Sequence, residues 1–325
     1  MIRRRRFLAT AIAGLTVPGA ASAINWPQPP RDARNPTLVI DSPAINAFIP
    51  NFRTFQDIDA AAKVRGLDTT GLDALPSVWG GAQFSVTAWR KLRNSSTKLT
   101  GLFAVMDLRQ ESHGFLDSNA VTWLAQHNWG NLGLTHDQVK TAESKRLAEL
   151  ARQSVVTPPS IDDYRGRGIK KGPELTVQNV APEAVVVSQT NARYIRFAVT
   201  DHLRPTDADV DRFVMLVVGR MGQMYGQPLY IHCLDGGGRT TTFLAMVDML
   251  ANADRVSFET IIARQATVRP YYDLADMQLK NGQDGPYSPY YRERLSFLSH
   301  FHSFAAARIG GEHRRWSRWV ADGGA

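Results

Sequence analysis

The sequence predicts an α/β protein built on a mostly parallel central sheet flanked by helices. Three observations carry this. Apolar runs of strand length recur at 102–106, 194–199 and 229–232. Segments of helical character lie between and after them, and each run ends in a polar cluster, at Asp107, Asp201 and Cys233. Strands interleaved with helices are the pattern of a parallel sheet covered on its faces. Ligands bind beyond the carboxyl ends of such strands, so three clusters at strand ends predict one site.

Taken in order, residues 24–37 are proline-rich and read as an extended arm. Residues 84–92 read as a short helix capped by Ser85. The strand 102–106 runs into Asp107, Arg109, Glu111 and His113, and 136–153 form a charged helix. From 155 to 173 the prolines, glycines and basic residues predict a surface loop or insertion, with Lys170 and Lys171 solvated. Short β segments are expected at 175–180 and 184–188. After the strand 194–199, Thr206 and Asp209 form a capping box for a helix whose apolar stripe is Val210, Phe213, Val214, Val217 and Val218. Further helices are expected at 240–250, 258–265 and 290–304, with a break at 286–289. The basic-aromatic tail from Arg314 to Trp319 reads as frayed or packed on the surface.

Hydrophobic content of 43% and charged content of 21% over 325 residues are ordinary for a globular chain with a sizeable core. The net charge of +8 owes half its value to Arg3, Arg4, Arg5 and Arg6. Without residues 1–23, 34 basic face 30 acidic side chains. That mild excess suits a small anionic ligand and excludes the strongly basic face of a nucleic-acid binder. The four arginines, an apolar run and Ala21-Ser-Ala23 have the layout of a cleaved export signal, Sec or twin-arginine, too short to span a membrane. An exported, periplasmic or secreted protein with no membrane attachment after cleavage is expected; the oligomeric state stays open.

Chemistry concentrates at 230–243, read as strand, glycine-rich loop and helix. Cys233, the single cysteine, ends the strand, and Arg239 follows six residues later. A loop entering a helix turns N–H groups inward and adds the partial positive helix end, making an anion cradle that favours a thiolate. Leu234, Asp235, Gly236, Gly237 and Gly238 form the cradle, and the glycines permit close backbone approach. The Arg239 fork matches a tetrahedral oxyanion. Thr240 either donates to the cysteine sulfur or supports the helix start. His232 either holds the loop and favours the thiolate or is satisfied by backbone. Asp201, on a loop 32 residues before the cysteine, is the candidate general acid. His202 and Arg204 are candidate phosphate contacts. Asp107, Arg109, Glu111 and His113 either orient loops and touch substrate or form a buried polar network. His300 and His302 diverge on a helix with no acid cluster beside them, so neither a metal nor another cofactor is expected.

These residues resemble the bacterial protein-tyrosine-phosphatase-like inositol phosphatases, the cysteine phytases. The resemblance rests on Asn51-Phe-Arg-Thr54, Asp107-Leu-Arg-Gln-Glu-Ser-His-Gly-Phe115, Trp129-Gly-Asn-Leu-Gly133, Thr200-Asp-His-x-x-Pro205, His232-Cys-x5-Arg-Thr240 and Tyr290-Tyr-Arg-Glu-Arg294. It implies a phosphatase α/β core beside a small partial β-barrel; the expected divisions of the chain are an arm at 24–45, the phosphatase domain at 46–305 and a tail at 306–325. It also implies stepwise removal of phosphates from inositol polyphosphates through a phosphocysteine. Asp201 would be the general acid, His202 a substrate contact, and Arg53 and Asp107 further substrate or loop contacts. A phosphotyrosine or phosphoprotein phosphatase and a weak phosphate-binding module are the alternatives. Where such relatives carry Glu-Ala-Gly-x-Gly after the cysteine, this chain has Leu234-Asp-Gly-Gly-Gly238, so an extra carboxylate is expected inside the cradle and a polar rim residue is missing. Leu134 stands where many relatives have lysine.

Overall fold

The computed structural model describes residues 24–75, 77–95, 103–223 and 228–324; the expected export signal at 1–23 lies outside them. The chain begins with β1 (Thr37–Ser42), β2 (Arg53–Thr54) and α1 (Phe55–Val64), whose Thr54 cap and Asp57 bond reciprocally. β3 (Val78–Gly81) leads to α2 (Val86–Asn94), capped by Ser85 as expected. Then come β4 (Phe103–Arg109), β5 (His113–Leu116), β6 (Asn119–Leu124), α3 (His136–Leu150), β7 (Val155–Val156) and α4 (Ile161–Arg167). They are followed by β8 (Leu175–Thr176), β9 (Val180–Ala181), α5 (Glu183–Ser188), β10 (Ala192–Val199) and α6 (Asp207–Gln223). The last part is β11 (Leu229–His232), α7 (Gly238–Asn252), α8 (Phe258–Gln265), α9 (Ser288–Ile309) and α10 (Trp316–Ala321).

The central sheet has the order β10-β4-β11-β3-β2, parallel except for β2. Its register sets His232 beside Gly81 on one neighbour and Asp107 on the other, and Asp107 beside Arg196. The polar strand ends therefore share one edge. A four-stranded antiparallel sheet, β1-β6-β5-β9, forms the smaller β unit, and β7 pairs with β8. α7 is buried on nearly every side, between the sheet and α9. It is a core helix, buried all round, with Asp248 enclosed and paired to Arg264 Nε at 2.7 Å.

The structure corrects or sharpens four local expectations. Residues 184–188 are helical: Pro182 precedes α5, whose first residue, Glu183, is drawn into a buried polar network, while Val186 and Val187 enter the core. The 155–173 stretch contains α4, capped by Ser160 and anchored by Ile161 in an apolar cluster. The 24–45 arm contributes β1, paired along its length with β6. The tail is packed. Trp316 and Trp319 lie against Phe304, and Trp316 Nε1 donates to Asp207 at 2.9 Å. Indole rings that reach a core and a hydrogen-bond acceptor together outweigh the solubility of the neighbouring arginines. No helix among the described residues is long and apolar enough to cross a membrane.

Candidate active site

β11 carries Cys233 to the carboxyl edge of the sheet, where the unpaired thiol is 3% exposed. The loop then turns at Gly236, with φ +69°; a Cβ there would lie 2.5 Å from the Gly81 backbone carbon, so only glycine fits. α7 opens after Gly237 with no side chain capping it, which leaves its first N–H groups for an anion. Thr240 Oγ1 lies 3.3 Å from Cys233 Sγ and 3.3 Å from the Gly81 carbonyl, so it faces the sulfur and braces the loop. Thr241 and Thr242 bond back to the Gly237 and Gly238 carbonyls at 2.8 Å.

Arg53 is buried behind this loop. Its Nη2 donates to Thr241 Oγ1 at 2.9 Å and its Nη1 to the Asn51 carbonyl. Burial pulls its pKa down to about 10. It braces the helix start, and the expectation of a substrate contact gives way to the loop-contact reading.

Arg239 is held from the opposite side. Its Nη1 and Nη2 donate to Glu111 Oε2 and Oε1 at 2.7 and 2.9 Å, and Nη1 also reaches the Val199 carbonyl. Glu111 accepts in addition from Arg109 Nε at 2.9 Å, and Arg109 Nη1 donates to Gln83 at 2.6 Å. Burial pushes Glu111 up, but Arg239 and Arg109 more than offset it, so the carboxyl lies far below its ordinary range. The Arg239 Nε lies 3.2 Å from Asp201 Oδ1 without hydrogen-bond geometry, and is left without a partner.

Asp201 follows β10 on a loop fixed by Trp129 Nε1, which donates to its carbonyl at 2.9 Å, while Asn128 Nδ2 reaches Oδ2 at 3.2 Å. Burial raises its pKa, and Arg239 with His202 reverses the shift, leaving it lowered. His202 stacks on Tyr287 at 3.9 Å, and its Nδ1 is 2.9 Å from the Tyr291 hydroxyl. Burial lowers its pKa. Arg204 is drawn away to Asp207 and Glu293, so it does not serve as a phosphate contact.

Beneath the loop, His232 Nε2 meets Glu183 Oε1 at 2.9 Å. Glu183 also accepts from Gln83 Nε2 at 2.9 Å, and the Gln83 N–H donates to the Leu234 carbonyl at 2.9 Å. The loop is thus held through both His232 and Gln83. Asp107 is fully enclosed: it accepts from the Tyr194 hydroxyl at 2.6 Å and lies beside His113 and Arg196. The network reading holds for it, and its expected role as a substrate contact does not. Asp107, His113 and Glu183 place three ligand atoms within 4.8 Å, a spacing open to a metal. Burial lowers the His113 pKa, but the net effect of its carboxylate neighbours is to raise it to about 9, so His113 and Arg196 already supply the positive charge there. His300 and His302 bond to backbone carbonyls.

A cavity of about 660 Å3 opens over Asp201 and His202, with His127, Tyr287, Arg165 and Asp235 on its wall. Asp235 is not inside the cradle. Its carboxylate faces outward and meets Arg165 Nη1 at 2.9 Å. Leu234 is buried among Val39, Leu124 and Ile161, away from the rim. Sequence reasoning missed Glu183, Gln83, Asn128, Tyr287 and Arg165, whose roles depend on contacts distant in the chain. Arg294 belonged to a recognised motif without a role; its Nη1 lies against Gly238, and its Nη2 donates to Tyr272.

The PTP-like phytase family model, described by inositol hexakisphosphate, matches residues 106–251, the stretch holding Asp107, Asp201, Cys233 and Arg239. The tandemly repeated protein tyrosine phosphatase-like phytase of Mitsuokella multacida superposes with a TM-score of 0.79 at 30% identity, over 91% of this chain and 49% of that one. This chain belongs to the PTP-like phytase family. The PTP-like phytase of Bdellovibrio bacteriovorus is similar over 94% of this chain and 99% of its own, with a TM-score of 0.70 at 29% identity. The PTP-like myo-inositol phosphatase of Mitsuokella multacida, solved with myo-inositol-(1,3,4,5)-tetrakisphosphate, gives 0.78 at 29%, over 91% of this chain and 49% of that one. An effector protein of Pseudomonas syringae pv. tomato, hopD2, is 32% identical over 92% of this PTP-like phytase chain. The chain spans 63% of that effector's length and about half of the Mitsuokella chains.

Proposed function

We propose that the protein is a cysteine-dependent phosphomonoesterase that removes phosphates one at a time from inositol polyphosphates. The observation that carries this reading is the convergence of Cys233, Thr240, Arg239 and Asp201 at one sheet edge, with Thr240 facing the sulfur and Arg239 beside the acid. The Cys233 thiolate attacks phosphorus, forming the S–P bond as the bond to the inositol oxygen breaks. Asp201, protonated, gives its proton to that oxygen. Arg239 and the loop amides stabilise charge on the three equatorial oxygens. Water then attacks the phosphocysteine, Asp201 takes its proton, and the S–P bond breaks. The sulfur leaves as thiolate, stabilised by the Thr240 hydroxyl.

The substrate class draws support from the inositol tetrakisphosphate bound by the Mitsuokella relative. One observation favours the second reading, a phosphotyrosine substrate: the stacked His202 and Tyr287 rings line the cavity with Tyr164 and would accept an aryl group. Phosphate release from inositol hexakisphosphate, lower inositol phosphates and a phosphotyrosine peptide separates the two. The proposal expects turnover of inositol phosphates that Cys233→Ser abolishes and chelators leave intact; turnover of the peptide alone overturns the substrate, and activity surviving in Cys233→Ser overturns the mechanism. We also propose that the protein is exported, on the strength of the arginine run and apolar segment at its start. Retention in the cytoplasm of a reporter fused to residues 1–30 would end that part.

A further inference from the structure

Leu234 and Asp235, the two residues that distinguish this loop, both contact α4. Leu234 packs with Ile161 and Tyr164, and so ties the helix to the nucleophile loop. Asn51 Nδ2 donates to the Asp235 carbonyl at 2.8 Å and fixes the backbone there. The Asp235 carboxylate then meets Arg165 on the next turn of α4 from Ile161. Both ends of this pair lie on the wall of the cavity that holds Asp201 and His202, together with Asp32, His127 and Lys170.

The pair is exposed, at 61% for Asp235 and 40% for Arg165. Such pairs are weak and exchange partners readily. A substrate phosphate can therefore engage Arg165, but only while Asp235 remains close by. Each added phosphate on the ring brings more negative charge towards that fixed carboxylate. The penalty grows with phosphate number, while the attraction of Arg165 is offset by its own pairing to Asp235. We infer that Asp235 and Arg165 form a charge filter at the mouth, which selects inositol phosphates of low phosphate number over the most highly phosphorylated ones. This rests on the inositol phosphate reading above and adds to it the class of substrate preferred.

The test is calorimetric binding of inositol hexakisphosphate and an inositol monophosphate to the Cys233→Ser protein, with and without a second substitution. Asp235→Asn should raise the preference for the hexakisphosphate over the monophosphate by about three- to tenfold at low ionic strength, and the gain should shrink at molar salt as the Debye length falls to about 3 Å. Arg165→Ala should shift the preference the opposite way. An equal effect of Asp235→Asn on both ligands, a gain indifferent to salt, or no detectable binding of either ligand overturns the inference. Phosphate release is measured separately with the unsubstituted cysteine. If the ligands bind with the expected selectivity but no inositol phosphate is hydrolysed, the proposed function falls and the filter stands.

Discussion

Glu111 and Arg239 meet fork to fork, with two hydrogen bonds of 2.7 and 2.9 Å in a fully enclosed site. The carboxylate comes from the segment after β4 and the guanidinium from the first turn of α7. This pair engages Nη1 and Nη2, while Nε is a buried nitrogen without a hydrogen-bond partner. Glu111→Gln removes the charge and keeps the shape. It should lower kcat by about ten- to a hundredfold through loss of Arg239 orientation. Stability should fall by about 3 kcal/mol, since both Arg109 and Arg239 lose a buried counter-charge. Steady-state kinetics and urea unfolding check the pair of effects; unchanged kcat in a folded variant would remove the orienting role.

In the proposed mechanism Asp201 acts as the acid against a lowered pKa, set by Arg239 and His202 overcoming burial. The free enzyme therefore presents a carboxylate at neutral pH, and turnover should rise towards acid pH. A bound phosphate dianion shares Arg239 and brings negative charge to Asp201, which raises its pKa in the complex. Asp201→Asn should slow an inositol phosphate by about 10²- to 10⁴-fold, slow an aryl phosphate far less, and flatten the basic limb of the kcat profile. Equal losses on both substrates would exclude proton donation.

Thr240 contributes one hydrogen bond to the sulfur, at 3.3 Å. Its greatest use comes when the S–P bond breaks and charge returns to sulfur. Thr240→Ala should lower kcat by about five- to tenfold, the equivalent of about 1 kcal/mol for one such bond. A rapid burst of aryl alcohol before a slow steady state would show the phosphocysteine accumulating. Slowed formation of the intermediate, without a burst, would place the effect elsewhere.

His113 links stability to pH. Its pKa is raised to about 9 from an ordinary 6.5, so the protonated form is the one the fold favours. The stabilisation is complete below about 6.5 and is lost as pH rises through about 9, an effect on the order of a few kcal/mol. Glu183 acts in the opposite sense: burial raises its pKa, but His232 and His113 bring it to about 2, so its contribution is present above about 4.5 and lost towards pH 2. Melting temperatures between pH 6 and 9.5 should fall in the parent protein and change less in His113→Gln.

Much of the site is legible in the chain's local order. Cys233, Gly236, Arg239 and Thr240 lie within eight consecutive residues, and a strand, a tight turn and a helix start fix their relative placement locally. Asp201 is legible because its loop follows a strand of the same sheet. The roles of Asp107, Arg53 and Asp235 are not. Asp107 shares a motif with Glu111, but strand alternation and the β10 register send its carboxylate to Tyr194 and Arg196. The 184–188 run has strand-like composition, and the buried partners of Glu183, with Val186 and Val187 in the core, make it the body of a helix.

The sequence by itself determined the α/β class, the glycine loop at the strand end and the candidate nucleophile, because each rests on periodicity or on contacts between near neighbours. The tertiary structure decided what surrounds them. It placed Glu111 on Arg239, Glu183 on His232, and Arg165 on Asp235, pairs separated by 128, 49 and 70 positions. Charges that far apart meet only after the sheet has set its strand order and α4 has docked on Leu234. Whether Asp235 repels a ligand inside the cradle or pairs with Arg165 at its rim is a property of that docking.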